Sequence, residues 1–176
     1  MENEIEIRAA RTSDLDSLLQ LYPDAFPEED LLSLVEDLHR SCEDDVISLV
    51  AIAGHRLVGH IAFTLGGIDG GPANMALLAP LAVASAMQKQ GFGKALVAEG
   101  LGRLKARSVA RVLVLGDPRY YGRFGFETEK RIEPPYPLPA EWQDAWQSLI
   151  LEETRPARGG ALKLPAFWMR PALWAP

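Results

Sequence analysis

Residues 81–96 read Leu81-Ala82-Val83-Ala84-Ser85-Ala86-Met87-Gln88-Lys89-Gln90-Gly91-Phe92-Gly93-Lys94-Ala95-Leu96. The apolar run from Met75 to Val83 that leads into them has the make-up of a strand buried on both faces. Gln88 to Gly93 is a glycine-bearing turn, and past it Leu96, Val97, Leu101 and Leu104 fall on one side of a helix. A buried strand feeding such a turn and then a helix makes a ready anion site. The first N–H groups of a helix lack intrahelical acceptors, and the macrodipole favours negative charge there. Glycine also lets the backbone approach a phosphate closely. Lys94 opposes the dipole in the first turn but suits a phosphate. The plainer reading makes the glycines punctuation in a tight turn.

Working outward, Ile5-Glu6-Ile7-Arg8 alternates as a half-buried strand does. Thr12 and Ser13 offer N-caps to a helix striped by Leu15, Leu18, Leu19 and Leu21/Tyr22, which Pro23 and Pro27 should break. A second helix is expected from near Glu28, with Leu31, Leu32, Val35 and Leu38 buried. Val46 to Ala53 and Leu57 to Leu65, joined by Gly54-His55, read as a hairpin. Val109 to Leu115 is a strand stopped by Gly116-Asp117-Pro118, and Arg119 to Phe124 holds one or two helical turns. Glu133 to Pro139 reads as loop. Ser148–Leu151 and Ala161–Leu164 are strand-like around a turn at Arg155 to Gly160. The order β-α-α-β-β-β-α-β-α-β-β is a mixed α/β arrangement.

The length of 176 residues fits one domain over residues 1–165, followed by a Trp- and Pro-rich tail over 166–176. An apolar share of 48% excludes a disordered chain. Eighteen Lys and Arg against 24 Asp and Glu leave a net charge of −6, which argues against non-specific nucleic-acid binding. Cys42 is the single cysteine, so no internal disulfide or CxxC site forms, and a reducing compartment follows. The acidic start Met1-Glu2-Asn3-Glu4 lacks the basic and apolar regions of a signal peptide. Gly70 to Gln88 is uncharged, but Pro72, Asn74 and Pro80 interrupt it, and its apolar core is shorter than the ~20 residues of a span. The expectation is a cytoplasmic protein without membrane or nucleic-acid partners.

Two rival phosphate motifs fit poorly. A P-loop needs Gly at position 88 and a hydroxyl after Lys94, where Gln88 and Ala95 stand. The dinucleotide fingerprint needs a third glycine at Leu96, although Asp117 at the end of the next strand could mimic its ribose-binding acid. That reading stays as a rival resting on Gly91, Gly93 and Asp117. The segment does resemble motif A of the GNAT-type N-acetyltransferases, for which Gln88-x-x-Gly91-x-Gly93 supplies the pattern. Tyr120-Tyr121-Gly122-Arg123-Phe124-Gly125-Phe126 is similar to the family's late aromatic segment, and the element order from Ile5 to about Leu164 also agrees.

That resemblance implies a mixed, mostly antiparallel sheet, splayed at its central strands and flanked by helices. It implies acetyl-CoA, or another acyl-CoA, as co-substrate with no metal. Gln88, Lys89, Gln90, Gly91, Phe92, Gly93 and Lys94 would hold the pyrophosphate through main-chain N–H groups. Leu81 and Val83 would pair with pantetheine amides, and an amide near Ala82 or Val83 would act as oxyanion donor. Tyr121 aligns with the tyrosine that protonates the departing thiolate, with Tyr120 the substitute if the register slips. The acceptor would be an amine on a small molecule, peptide or protein, attacking the thioester directly.

The sequence departs from the family twice. Gly116-Asp117-Pro118-Arg119 stands where many members carry a CoA-contacting Asn, and Met75 to Val83 carries no acid to serve as general base. The remaining candidates for a base are Glu28, Glu29, Asp30, His60 and Asp69, each of which reads more simply as ordinary surface or, for His60, a satisfied strand histidine. The missing acid keeps open a non-catalytic acyl-CoA-binding or regulatory module on the same fold. His39, His55 and His60 have no metal-ligand spacing, and acidic neighbours keep Cys42 from being reactive. Trp142, Trp146, Trp168 and Trp174 are packing residues, an aromatic rim over the acceptor slot, or a homodimer contact made by the tail.

Overall fold

The computed structural model describes residues 4–68, 71–153 and 159–176. Its elements are β1 (Ile5–Ala9), α1 (Leu15–Ala25), α2 (Leu32–Arg40), β2 (Val46–Ala53), β3 (Arg56–Ile68) and β4 (Met75–Val83). They continue as α3 (Phe92–Ala106), β5 (Arg111–Leu115), α4 (Pro118–Tyr121), β6 (Glu127–Thr128), β7 (Ile132–Glu133), β8 (Trp146–Ile150) and β9 (Gly160–Lys163). The sheet is mixed and mostly antiparallel, with helices on its flanks. Two compact units divide the chain, Met1–Phe63 with Ala79–Arg103 and Thr64–Leu78 with Leu104–Pro176. Strands β3 and β4 run through both.

In the first unit the strand order is β1-β2-β3-β4, with β1 antiparallel to β2 from Ile5↔Ala53 to Ala9↔Leu49. The turn between β2 and β3 falls at Gly54 (φ +63°) and His55, as the hairpin reading expects. Helix α1 buries Leu18, Leu21 and Tyr22, and α2 buries Leu34, Val35 and Leu38. Leu18, Leu21, Tyr22, Val35, Val50 and Ala82 form one cluster, each large member worth about 1.5–3 kcal/mol of burial.

Two helix boundaries differ from the sequence expectation. Pro23 does not break α1, which continues to Ala25. In the last turn its ring forfeits a single backbone bond, and burial of Leu21 and Tyr22 outweighs that loss. The second helix begins at Leu32 rather than near Glu28, because Asp30 forms an Asx turn, its Oδ1 accepting from the Leu32 N–H at 3.3 Å.

Helix α3 lies close on the first unit's sheet because small residues face it. A Cβ at Gly59 would meet Leu96 Cδ1 at 3.0 Å, and one at Gly100 would overlap the Phe63 ring. Gly100 therefore permits the close approach of helix to strand.

The second unit carries the order β4-β5-β8-β6. Its β4–β5 ladder is parallel and covers Met75–Leu77 against Arg111–Leu113, while β5 runs antiparallel to β8. The end of β3 pairs with β9, which pairs in parallel with β7. Two-residue β6 and β7 lie in a stretch with no readable period. Glu129 ties them together: it accepts from Arg111 at 3.0 Å, from the Arg131 and Ile132 N–H groups at 3.0 and 3.1 Å, and from the Ser148 hydroxyl. Burial pushes its carboxyl up, but those donors outweigh burial and hold it below the usual range.

The tail docks on this unit. Trp168 Nε1 donates to Thr64 Oγ1 at 2.9 Å, Trp174 Nε1 donates to the Trp168 carbonyl at 2.9 Å, and both indoles are buried. The turn expected at Arg155 to Gly160 lies mostly outside the described residues.

The Gly100 contact sets a balance that can be measured. Gly100→Ala gains up to about 1 kcal/mol of helix propensity but incurs about 1–3 kcal/mol of overpacking against Phe63. The expected net is a loss of about 1 kcal/mol in urea denaturation, smaller in a Phe63→Leu background; unchanged stability would show that the ring yields freely.

Candidate active site

β4 leaves its ladder with β5 at Leu77, so beyond that residue one edge of the strand offers main-chain groups to another partner. Ala82 points into the core, while Leu81 and Val83 are half-buried. The exit from β4 is fixed by Ala84 N–H donating to the Val58 carbonyl at 2.8 Å. A single 3-10 turn, Ser85–Met87, follows. Its first residue is gripped by Asp24, whose Oδ2 accepts from Ser85 N–H at 2.8 Å and whose Oδ1 accepts from Ser85 Oγ at 2.7 Å.

Gln88 to Gly91 then cross the surface, each exposed. The Gln88 side-chain amide folds back on the Val83 carbonyl at 3.2 Å. Lys89 has φ +62° and Gly91 φ +92°, the left-handed region that glycine enters freely and lysine seldom. Phe92 is buried and pins the start of α3. The first helical bond runs from Ala95 N–H to the Gly91 carbonyl at 3.0 Å. The N–H groups of Phe92, Gly93 and Lys94 thus precede any intrahelical acceptor, and the helix dipole adds positive potential. This turn has the chemistry to hold a diphosphate.

In the second unit, Asp117 caps α4 by accepting from Arg119 N–H at 2.9 Å and pairs with the Arg119 guanidinium at 3.2 Å. The Arg119 hydrogen bonds hold its carboxyl below the usual range. That carboxylate is engaged as a cap and by the Arg119 guanidinium. Tyr121 packs edge-on to Tyr120 and Phe126, with centroids at 5.0 and 5.7 Å. Its ring passes over Gly116, where a Cβ would overlap it. Burial pushes the Tyr121 phenol well up, so it is protonated at neutral pH.

The candidates for a base fare differently. Glu28, Glu29 and Asp30 are exposed ahead of α2. His60 is buried in β3, with Nδ1 at 2.6 Å from the Tyr22 hydroxyl and Nε2 at 2.8 Å from the Ser48 hydroxyl. Burial, with a smaller push from His39, lowers its imidazole to about 3. It is a neutral core histidine, satisfied at both nitrogens. Asp69 lies outside the described residues. Cys42 is exposed and donates to Asp45 Oδ2 at 3.3 Å.

Among the described residues no three His, Cys, Asp or Glu side chains gather as a metal site. No described helix is long and apolar enough to cross a membrane. The segment read as loop also lines a cavity of about 720 Å³ with Glu129, Glu133, Pro135, Leu138, Asp144 and Trp146, which residue spacing did not reveal.

Residues 6–128 match the acetyltransferase (GNAT) domain, and the chain belongs to that family. It is 36% identical over 151 residues to YjhQ of Escherichia coli K12, an uncharacterised N-acetyltransferase, covering 80% of this chain and 82% of that one. The crystal structure of E. coli YhbS, a GNAT N-acetyltransferase in complex with CoA, superposes with a TM-score of 0.84 at 27% identity, covering 97% and 94% of the two chains. A GNAT acetyltransferase of Brucella melitensis in complex with acetyl-CoA gives 0.73 at 27% identity, over 94% and 98%.

The buried histidine has a pH consequence. Its pKa is near 3 folded and about 6.5 unfolded, so between those values the unfolded chain binds a proton that the folded chain does not. Stability therefore rises with pH across that window, by up to about 1.4 kcal/mol per unit, and levels off above it. Urea melts from pH 4 to 7 are expected to be steeper in pH for the wild type than for His60→Gln. Equal slopes would show that His60 titrates freely.

Proposed function

We propose that this protein transfers an acetyl group from acetyl-CoA to an amine. The observation that carries the reading is the continuous run from the free edge of β4 into the Gln88–Gly91 turn and the start of α3. A pantetheine arm laid along β4 would add as a strand on the Leu81 and Val83 main chain, and its diphosphate would meet the amides of residues 88–94. Lys89 and Lys94 would supply positive charge beside it. CoA and acetyl-CoA in the E. coli and Brucella relatives support this choice of co-substrate.

The neutral amine nitrogen attacks the thioester carbonyl carbon, and an N–H near Ala82 or Val83 stabilises the oxyanion. On collapse the C–S bond breaks and the thiolate takes the proton of the Tyr121 hydroxyl; the cationic nitrogen of the adduct loses its proton to water, and solvent returns a proton to the tyrosinate. Gly116 serves this step by letting the phenol ring lie close to the end of β5. One observation favours a module that binds acyl-CoA without turnover: burial raises the Tyr121 phenol and weakens it as an acid. Kinetics separate the two.

Titration calorimetry is expected to detect acetyl-CoA binding, and silence at high micromolar ligand would remove the proposal. Against a panel of amines, Tyr121→Phe is expected to lower kcat about 10²-fold or more while the acetyl-CoA Kd stays within about twofold. Binding without CoA release from any amine, and no effect of Tyr121→Phe, would leave the binding module.

A further inference from the structure

The Gln88–Gly91 turn has an awkward structural position. It is exposed along its length, buries no side chain until Phe92, and holds Lys89 in the left-handed region that lysine seldom enters. Such a segment keeps one shape only if its ends are tied to something rigid. At its far end the tie is Phe92 and the packing of α3 against Gly59 and Phe63. At its near end, two ties reach other elements. One is the Ala84 N–H on the Val58 carbonyl. The other is Asp24, in the last turn of α1, which accepts hydrogen bonds from both the main-chain N–H and the hydroxyl of Ser85, 61 residues further along the chain. The other bonds are local: Gln88 Nε2 to the Val83 carbonyl at 3.2 Å, Met87 N–H to the Ala84 carbonyl, and Gln90 Nε2 to the Ala86 carbonyl at 3.4 Å each span five residues or fewer.

We infer that Asp24 is a positioning residue for the co-substrate: through Ser85 it sets the angle at which residues 88–91 present their amides. The inference rests on the acetyl-CoA reading above. The carboxylate accepts two hydrogen bonds with its two oxygens, so it fixes both the position and the rotation of Ser85, which one bond would not do. It touches neither the thioester nor the diphosphate in this account and acts only through the turn. Asparagine would preserve the grip, because its Oδ1 accepts from the Ser85 N–H while its amide donates to the Ser85 hydroxyl.

The test compares wild type, Asp24→Ala, Asp24→Asn and Ser85→Ala by titration calorimetry with CoA and by steady-state kinetics in acetyl-CoA. Asp24→Ala is expected to raise the CoA Kd and the acetyl-CoA KM about five- to tenfold, with kcat within about twofold and the unfolding midpoint little changed. Asn is expected to restore both constants, and Ser85→Ala, which keeps one bond, to raise them about two- to threefold. A scaffold role alone would lower the midpoint and kcat and leave KM in place. An unchanged Kd in Asp24→Ala, or Asn as weak as Ala, overturns the inference. If Asp24→Ala does not fold, an unchanged Kd in Ser85→Ala overturns it instead. Hydrogen exchange at the Lys89 to Gly91 amides of the free protein reads the turn without a ligand. Faster exchange in Ser85→Ala than in wild type supports the inference even if wild type fails to bind CoA, a failure that counts against the acetyl-CoA reading alone.

Discussion

A strand inside a sheet gives its amides and carbonyls to two neighbours, and main-chain groups left without partners in a dry setting are costly. β4 gives up its parallel partner after Leu77, in the middle of an apolar run with no polar side chains to compensate. The unpaired edge is tolerable only where water or a ligand can reach it. An extended chain carrying its own amides is the chemical complement of such an edge. From this constraint follow the half-buried Leu81 and Val83, the need for a firm exit from the strand, and the turn that comes next.

That turn is where the first unit's packing acts. Helix α3 comes close to β3 because Gly59 and Gly100 clear room for Leu96 and Phe63, and Phe92 seals its first turn. The helix axis, and with it the direction of the first amides and the dipole, is set by contacts well below the surface. Donors held this way lose little freedom when an anion arrives, which is the source of their strength. The Val58 and Asp24 ties serve the same purpose from the strand side. An exposed segment without a core of its own thus takes its shape from the packed start of α3 on one side and the ties at the end of β4 on the other.

What the sequence made legible, and what it hid, follows the range of the interactions. The β4–turn–α3 run was readable because apolar period, glycine spacing and helix polarity all act within about twenty residues. The hairpin at Gly54-His55 and the caps around Asp117 are local in the same way. Pro23 was misread because propensity counts a lost bond and cannot count Leu21 and Tyr22 burying beside it. The start of α2 moved four residues because Asp30 forms an Asx turn with the Leu32 N–H ahead of the helix instead of sitting in its first turn. β6 and β7 are too short to show any period, and what fixes them is the Glu129 carboxylate reaching Arg111 and Ser148. His60 was readable as a strand residue, but its two hydroxyl partners come from α1 and β2. The Asp24–Ser85 grip spans 61 residues between two common residue types and leaves no local trace.

An acidic chain and a polyanionic co-substrate look mismatched until distance is considered. The net charge of −6 is spread over the whole surface, and at physiological ionic strength charges are screened beyond about 8 Å. On the proposed reading, a diphosphate at the turn would meet the N–H groups that precede the first helical acceptor, with exposed Lys89 and Lys94 among them. The carboxylate tied to the turn is that of Asp24, held below the usual range by the Ser85 main-chain and hydroxyl donors, so it is ionised. Both of its oxygens are turned to Ser85 and already accept hydrogen bonds there. Its charge is thereby engaged in holding the backbone that leads into the turn. A lysine in Asp24's place would bring the opposite charge, but as a donor only it could take neither Ser85 proton. At this position the hydrogen bonds decide the choice of residue.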